Sequence, residues 1–60
     1  MEEQIKRRVA IGSFVAERKL VDELVRVGFG ENLVRKALMF LQSSGDYEYR
    51  RERRLVHRLK

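Results

Sequence analysis

Gly45 is followed by Asp46-Tyr47-Glu48-Tyr49-Arg50-Arg51-Glu52-Arg53-Arg54-Leu55-Val56-His57-Arg58-Leu59-Lys60, and this stretch decides the fold. Tyr47 and Tyr49 alternate with Glu48 and Arg50, the period-two pattern of a half-buried strand. Leu55, His57 and Leu59 alternate with Val56, Arg58 and Lys60, which predicts a second strand with His57 half-buried on the Leu55–Leu59 face. The run Arg50-Arg51-Glu52-Arg53-Arg54 supplies the turn between them. A basic hairpin of this kind points to recognition more than to catalysis.

Upstream, glycine punctuates a chain without proline, at Gly12, Gly28, Gly30 and Gly45. Before Gly12, Ile5 and Val9 lie one helical turn apart with Lys6, Arg7 and Arg8 between them, a basic helix with a narrow apolar stripe. Phe14-Val15-Ala16 is too short for its period to decide between a small strand and an extended entry to the next helix. The spacing predicts a second helix over Lys19 to Val27, with Leu20, Leu24 and Val27 on one face and Val21 and Val25 widening it. Gly28-Phe29-Gly30 reads as the following turn, with Phe29 as an apolar plug beneath it. A third helix is predicted over Glu31 to Ser43, with Leu33, Ala37 and Leu41 on one stripe and Val34 and Leu38 on the next. The expected fold is α+β, a small winged helix-turn-helix of three helices plus a C-terminal two-stranded β-hairpin wing. A ubiquitin-associated-like three-helix module is the rival. It requires residues 47 to 59 to be helical, and Arg50 to Arg54 offer no apolar stripe for that.

Composition narrows the function. Sixty residues form one domain, 1–60, and a chain of that size buries only about 60% of its unfolded surface. There is no cysteine, hence no disulfide framework or thiolate metal site. No apolar run approaches the ~20 residues of a membrane span, and Met1-Glu2-Glu3 is too acidic to open a secretory leader. A soluble, intracellular chain without a membrane partner is expected. Formal net charge is +5, unevenly spread. Residues 50 to 60 hold six Lys or Arg against Glu52, and residues 5 to 19 hold five against Glu17. Residues 20 to 49 hold three bases against five acids. Basic ends around an acidic middle suit an anionic partner, or a solvated surface.

Ile5-Lys6-Arg7-Arg8, Ala10-Ile11-Gly12-Ser13, Val15 and Glu17, with Arg54-Leu55-Val56-His57-Arg58-Leu59-Lys60 at the end, resemble the extreme C-terminus of subunit five of the eukaryotic minichromosome maintenance (MCM) complex. That complex is the hexameric replicative helicase. The two terminal blocks are the specific part; the middle matches as an apolar pattern around a Gly-bounded turn. His57 departs from the aromatic, usually Tyr, found at that place in the family. The resemblance implies the C-terminal fragment of a larger nuclear protein of DNA replication and origin licensing within the cell cycle. It implies a non-catalytic module acting in helicase loading, with other MCM subunits and loading factors as partners. ATP and Mg belong, by that resemblance, to motor elements upstream. The present chain has no phosphate loop ending in Gly-Lys-Ser or Gly-Lys-Thr, so no enzyme and no cofactor are expected in it. A free-standing basic DNA-binding winged helix of the transcription-regulator type is the alternative.

Candidate DNA-binding residues are Arg50, Arg51, Arg53 and Arg54 at the turn, with Arg58 and Lys36. The competing reading of the turn is a solvated tip whose charges keep an edge strand from aggregating. On the third helix, Asn32, Arg35 and Met39 are assigned to protein contact, because that face mixes Glu31 and Met39 with little positive charge. A single His and no Cys leave only carboxylates to join it around a metal, and Ser13, Ser43 and Ser44 have no His placed by a readable motif. The isolated domain is expected to be a monomer.

Overall fold

The computed structural model describes all 60 residues. In chain order the elements are α1 (Glu2–Arg8), β1 (Phe14–Ala16), α2 (Glu17–Arg26), α3 (Glu31–Ser43), β2 (Tyr47–Arg50) and β3 (Leu55–Arg58). Three helices and one antiparallel sheet make a small α+β winged helix. The sheet order is β1-β3-β2, so the wing has three strands rather than the two that the hairpin alone predicts. Residues 47 to 58 are strand and turn, which removes the three-helix alternative.

Two helix ends show why the glycines stand where they do. After α2, Gly28 takes φ +108°, its N–H donates to Val25 O, and Phe29 N–H donates to Leu24 O. After α3, Gly45 takes φ +84°, its N–H donates to Gln42 O, and Asp46 N–H donates to Leu41 O. Both are the paired backbone closure that satisfies the last helical carbonyls and needs a left-handed residue, which glycine adopts without a Cβ penalty. Phe29 then packs, half-buried, against the core.

α3 has the predicted bounds, whereas α2 begins at Glu17, two residues before the predicted start. Glu17 and Arg18 are polar and carry no periodic signal. Their helical state follows from β1, which hands the chain over at extended Ala16, while Glu17 N–H donates to Arg54 O at 2.9 Å.

The core consists of Ile5 and Val9 from the first helix and its exit, Leu20, Val21 and Leu24 from α2, Val34, Ala37, Leu38 and Leu41 from α3, and Tyr47 and Val56 from the sheet. Each fully buried aliphatic side chain contributes about 1.5–3 kcal/mol relative to exposure. Three predicted inward residues lie outside it. Val27 has left the helix as its C-cap, Val25 lies off the stripe that meets α3 and β1, and Leu33 is half exposed. Leu33 and Leu41 are eight residues apart, which is about 80° around a helix, so one packed stripe cannot hold both at its centre.

The strand register decides which side of β3 meets the helices. β3 pairs Val56 with Val15 on one side and Tyr49 on the other, and these residues face the helices. Leu55 and His57 therefore face away from the core, beside Ala16 and Phe14 of β1 and Arg50 and Glu48 of β2. His57 is half-buried as expected, but on the outer face. Its cover comes from the Phe14 ring rather than from the helices, with ring centroids 4.0 Å apart and planes 12° from parallel.

Candidate functional site

The arginine turn is built from the outside of the sheet. β2 and β3 are closed by the Arg50–Leu55 pair, leaving Arg51-Glu52-Arg53-Arg54 as a four-residue connection. Arg54 takes φ +51°, the left-handed residue that lets the strand restart. Its carbonyl is held by Glu17 N–H, which fixes the turn against the start of α2. All four turn residues are exposed.

The turn arginines do not form one patch. Arg50 and Arg53 line a groove with Phe14, Glu52 and Leu55 on the outer sheet face. Arg54 borders a different groove, with Glu17, Asp22, Glu31 and Arg35 between α2 and α3. Arg50 pairs with Glu48 at 2.7 Å, both exposed, while Arg51, Arg53 and Arg54 make no ion pair. The basic residues of α1 differ: Lys6 pairs with Asp46 at 3.6 Å, Arg7 with Glu3 at 3.1 Å and Arg8 with Glu23 at 3.8 Å. The α1 bases are thus paired whereas three of the four turn arginines are not; Arg18, Lys19 and Arg26 of α2 are also without an ion pair but stand beside Asp22 and Glu23.

Arg58 holds a different position. It lies opposite Tyr47 on the inward side of β3, half-buried. Its Nη1 donates to Lys6 O and to Val9 O, both at 3.2 Å, and its Nε donates to Lys60 O at 2.9 Å. A guanidinium at the end of α1 satisfies orphan carbonyls and complements the helix dipole, so Arg58 ties the last strand to the first helix. Burial raises the Tyr47 phenol pKa; nearby Arg58 lowers it and Asp46 adds to the rise.

On α3, Asn32, Arg35, Lys36 and Met39 are all exposed, and Met39 is 66% exposed. Arg35 bridges the helix pair: its Nε donates to Glu31 at 3.3 Å and its Nη1 to Glu17 of α2 at 3.1 Å. The Glu31 hydrogen bond and charge, then Glu17, raise its pKa further. Met39 lies beside Arg35, Leu38 and Gln42 in a shallow depression that Glu17 also borders. Lys36 makes no ion pair and is separate from the grooves that hold the turn arginines. The exposed side of α3 is consequently a surface of mixed charge with an apolar component.

Two features escaped the sequence. Phe14 was part of a run too short to phase, and its outward ring became readable only through its pairing with His57. The helix-capping role of Arg58 depends on Lys6 and Val9, some fifty positions away along the chain. No local signal marks either.

The family model described as MCM5, C-terminal domain, matches residues 1–58. The chain is 49% identical over 57 residues to the DNA replication licensing factor MCM5 of Oryza sativa subsp. indica, and 46% identical over 57 residues to that of Arabidopsis thaliana. Each of these alignments covers 95% of the chain and 8% of the relative. Against mcm5-B of Xenopus laevis the identity is 33% over 60 residues, covering all of the chain and again 8% of the relative. The chain thus spans about a twelfth of the length of the relatives it matches. With the three helices, the arginine turn and the whole sheet inside the matched stretch, the chain belongs to the MCM5 C-terminal domain family.

Proposed function

We propose that this chain is a non-catalytic docking module of an MCM5-type replication licensing subunit. In this reading it is one winged-helix domain of a larger nuclear protein. It acts in helicase loading and regulation through protein contacts and weak, sequence-tolerant, electrostatic contacts to DNA. The observation that carries the reading is the division of the surface in a chain of this family: unpaired arginines at the wing tip, and a charge-balanced, partly apolar exposed side on α3. Free guanidinium groups suit phosphates, which position a protein without reading sequence. An Arg35 already engaged by two carboxylates, beside exposed Met39, suits a protein rim better than base edges.

Other MCM subunits and loading factors are the partners this reading gives to α3. A 60-residue module offers small contact area and binds such partners weakly alone; tethering to a ring raises its effective concentration. The chain lacks the Gly-Lys-Ser or Gly-Lys-Thr loop, so the reading assigns ATP and its Mg to other parts of the protein.

The test is a titration of the chain on DNA at several salt concentrations, beside the Arg50, Arg51, Arg53 and Arg54 to Ala quadruple variant. Each neutralised phosphate of duplex DNA contributes about −0.9 to the log–log salt slope. The variant should lose most of the slope and keep its thermal midpoint. Unchanged affinity would remove the wing tip from the DNA surface, and ATP turnover above a boiled control would overturn the non-catalytic assignment.

A further inference from the structure

Phe14 is 49% exposed although it is a large aromatic on a strand. Strand β1 is an edge of the sheet, so a strand flanks Phe14 on one side only. On that side lies His57, its register partner, whose ring covers Phe14 in a near-parallel stack. Nδ1 of His57 is buried without a hydrogen-bond partner, so stacking and strand pairing, not polar contact, hold the ring. The result is a two-ring stack beside a groove that Phe14 shares with Arg50, Arg53, Glu52 and Leu55.

We propose that this outer face of the wing is a stacking platform for single-stranded nucleic acid, in which one unpaired base packs on Phe14 and Arg50 and Arg53 hold the flanking phosphates. The inference deepens the electrostatic DNA contact proposed above and rests on it. Its physical basis is a pairing of features that neither needs alone. Base–aromatic stacking requires a flat, exposed ring whose orientation is already fixed, and a base of any identity supplies the π-face. Phosphate binding requires cations within a nucleotide's reach of that ring, and Arg50 and Arg53 share its groove. Charge complementarity favours a polyanion: the groove sets Arg50 and Arg53 against a single acid, Glu52, Arg53 has no ion-pair partner, and Arg50 would exchange its exposed contact with Glu48 for a phosphate. An acidic peptide would also answer the arginines, but it has no need of the prestacked ring. Duplex DNA has its bases stacked on each other and offers the ring no face.

The test measures anisotropy of a fluorescein-labelled oligothymidine and of a labelled duplex against the 60-residue chain and three variants. Phe14→Ala should weaken single-strand binding about 5- to 150-fold, leave its salt slope unchanged and leave duplex affinity within about twofold. Phe14→Trp should restore binding. The parent has no Trp, so the introduced indole is the sole one, and its emission should be quenched by oligothymidine and not by duplex. Arg50→Gln with Arg53→Gln should reduce the salt slope on both DNAs. Each variant's thermal midpoint is measured alongside, and half-exposed Phe14 should shift it little.

If Phe14→Ala changes nothing, or weakens duplex and single strand equally, the platform falls while the electrostatic contact stands. If the parent chain binds neither DNA, both fall. A polyglutamate peptide that binds the parent more tightly than oligothymidine, and is lost in Phe14→Ala, overturns the proposal in favour of an acidic protein segment.

Discussion

The packing phase of α3 can be tested by cutting two leucines that sequence periodicity places on one stripe. Leu41 is 1% exposed and Leu33 is 51% exposed. Truncating a buried Leu to Ala costs about 2–5 kcal/mol, from lost burial and the cavity left behind. At about 0.05–0.15 kcal/mol per residue, a chain of this length has on the order of 3–9 kcal/mol in total. Leu41→Ala therefore removes a large share of it. For a domain of this size each 1 kcal/mol moves the melting temperature by about 4–8 °C, so a loss of about 3 kcal/mol lowers it by about 12–24 °C. Leu33 has half its surface in water already, so Leu33→Ala should cost about 1 kcal/mol or less. The higher helix propensity of Ala returns a few tenths of a kcal/mol. The assay is urea and thermal unfolding followed by circular dichroism at the helix band, with Leu38→Ala as a second core variant, since Leu38 is 4% exposed. Equal losses at 33 and 41 would turn the buried stripe of α3 by about 40°, a larger loss at 33 by up to about 80°, and either would refute this packing.

Three further outcomes are expected. Arg58→Ala should destabilise by about 1.5–3 kcal/mol, the contribution of hydrogen bonds from a charged donor, and Arg58→Lys should recover only part; a parent-like urea midpoint in Arg58→Ala would show that the α1 cap is unimportant. Burial raises the Tyr47 pKa in the folded chain, so above pH about 10 the unfolded chain releases its proton first. That stability is fully present below the unfolded value and is lost as pH rises through the folded one; the slope, at most about 1.4 kcal/mol per pH unit, should flatten in Tyr47→Phe, and an identical alkaline profile in that variant would refute it. Arg35→Glu with Met39→Glu should impair a reconstituted helicase-loading assay while leaving DNA affinity within a few-fold, whereas normal loading with lost DNA binding would make α3 the DNA reader.

Most helical structure was legible because its signals are local. Glu31 to Ser43 carries a regular apolar period between two glycines, and its bounds agree with the observed helix. The alternation of Tyr47 and Tyr49 with charged neighbours placed β2 in the right phase, since Tyr47 is buried and Glu48 exposed. Which side of β3 meets the core is not legible, because Leu55, Val56 and Leu59 are all apolar, so alternation alone admits two faces. Val56 won through its neighbours Val15 and Tyr49, which no local pattern contains. The candidate site was half legible. A run of arginines is visible in any reading, but which of them are free depends on where the acids lie in space.

By itself, the sequence determined the number and order of the helices, the glycine-closed helix ends, the basic hairpin and the family, because each resides in contiguous residues. The tertiary structure alone decided the third strand, the outward stack of Phe14 on His57, the cap that Arg58 places on α1 and the separation of Arg54 from Arg50 and Arg53. The physical reason is the same for all four. Strand partners, ring stacking and charge pairing join residues distant in the chain, and their geometry is set only when the helices and sheet close around one shared core.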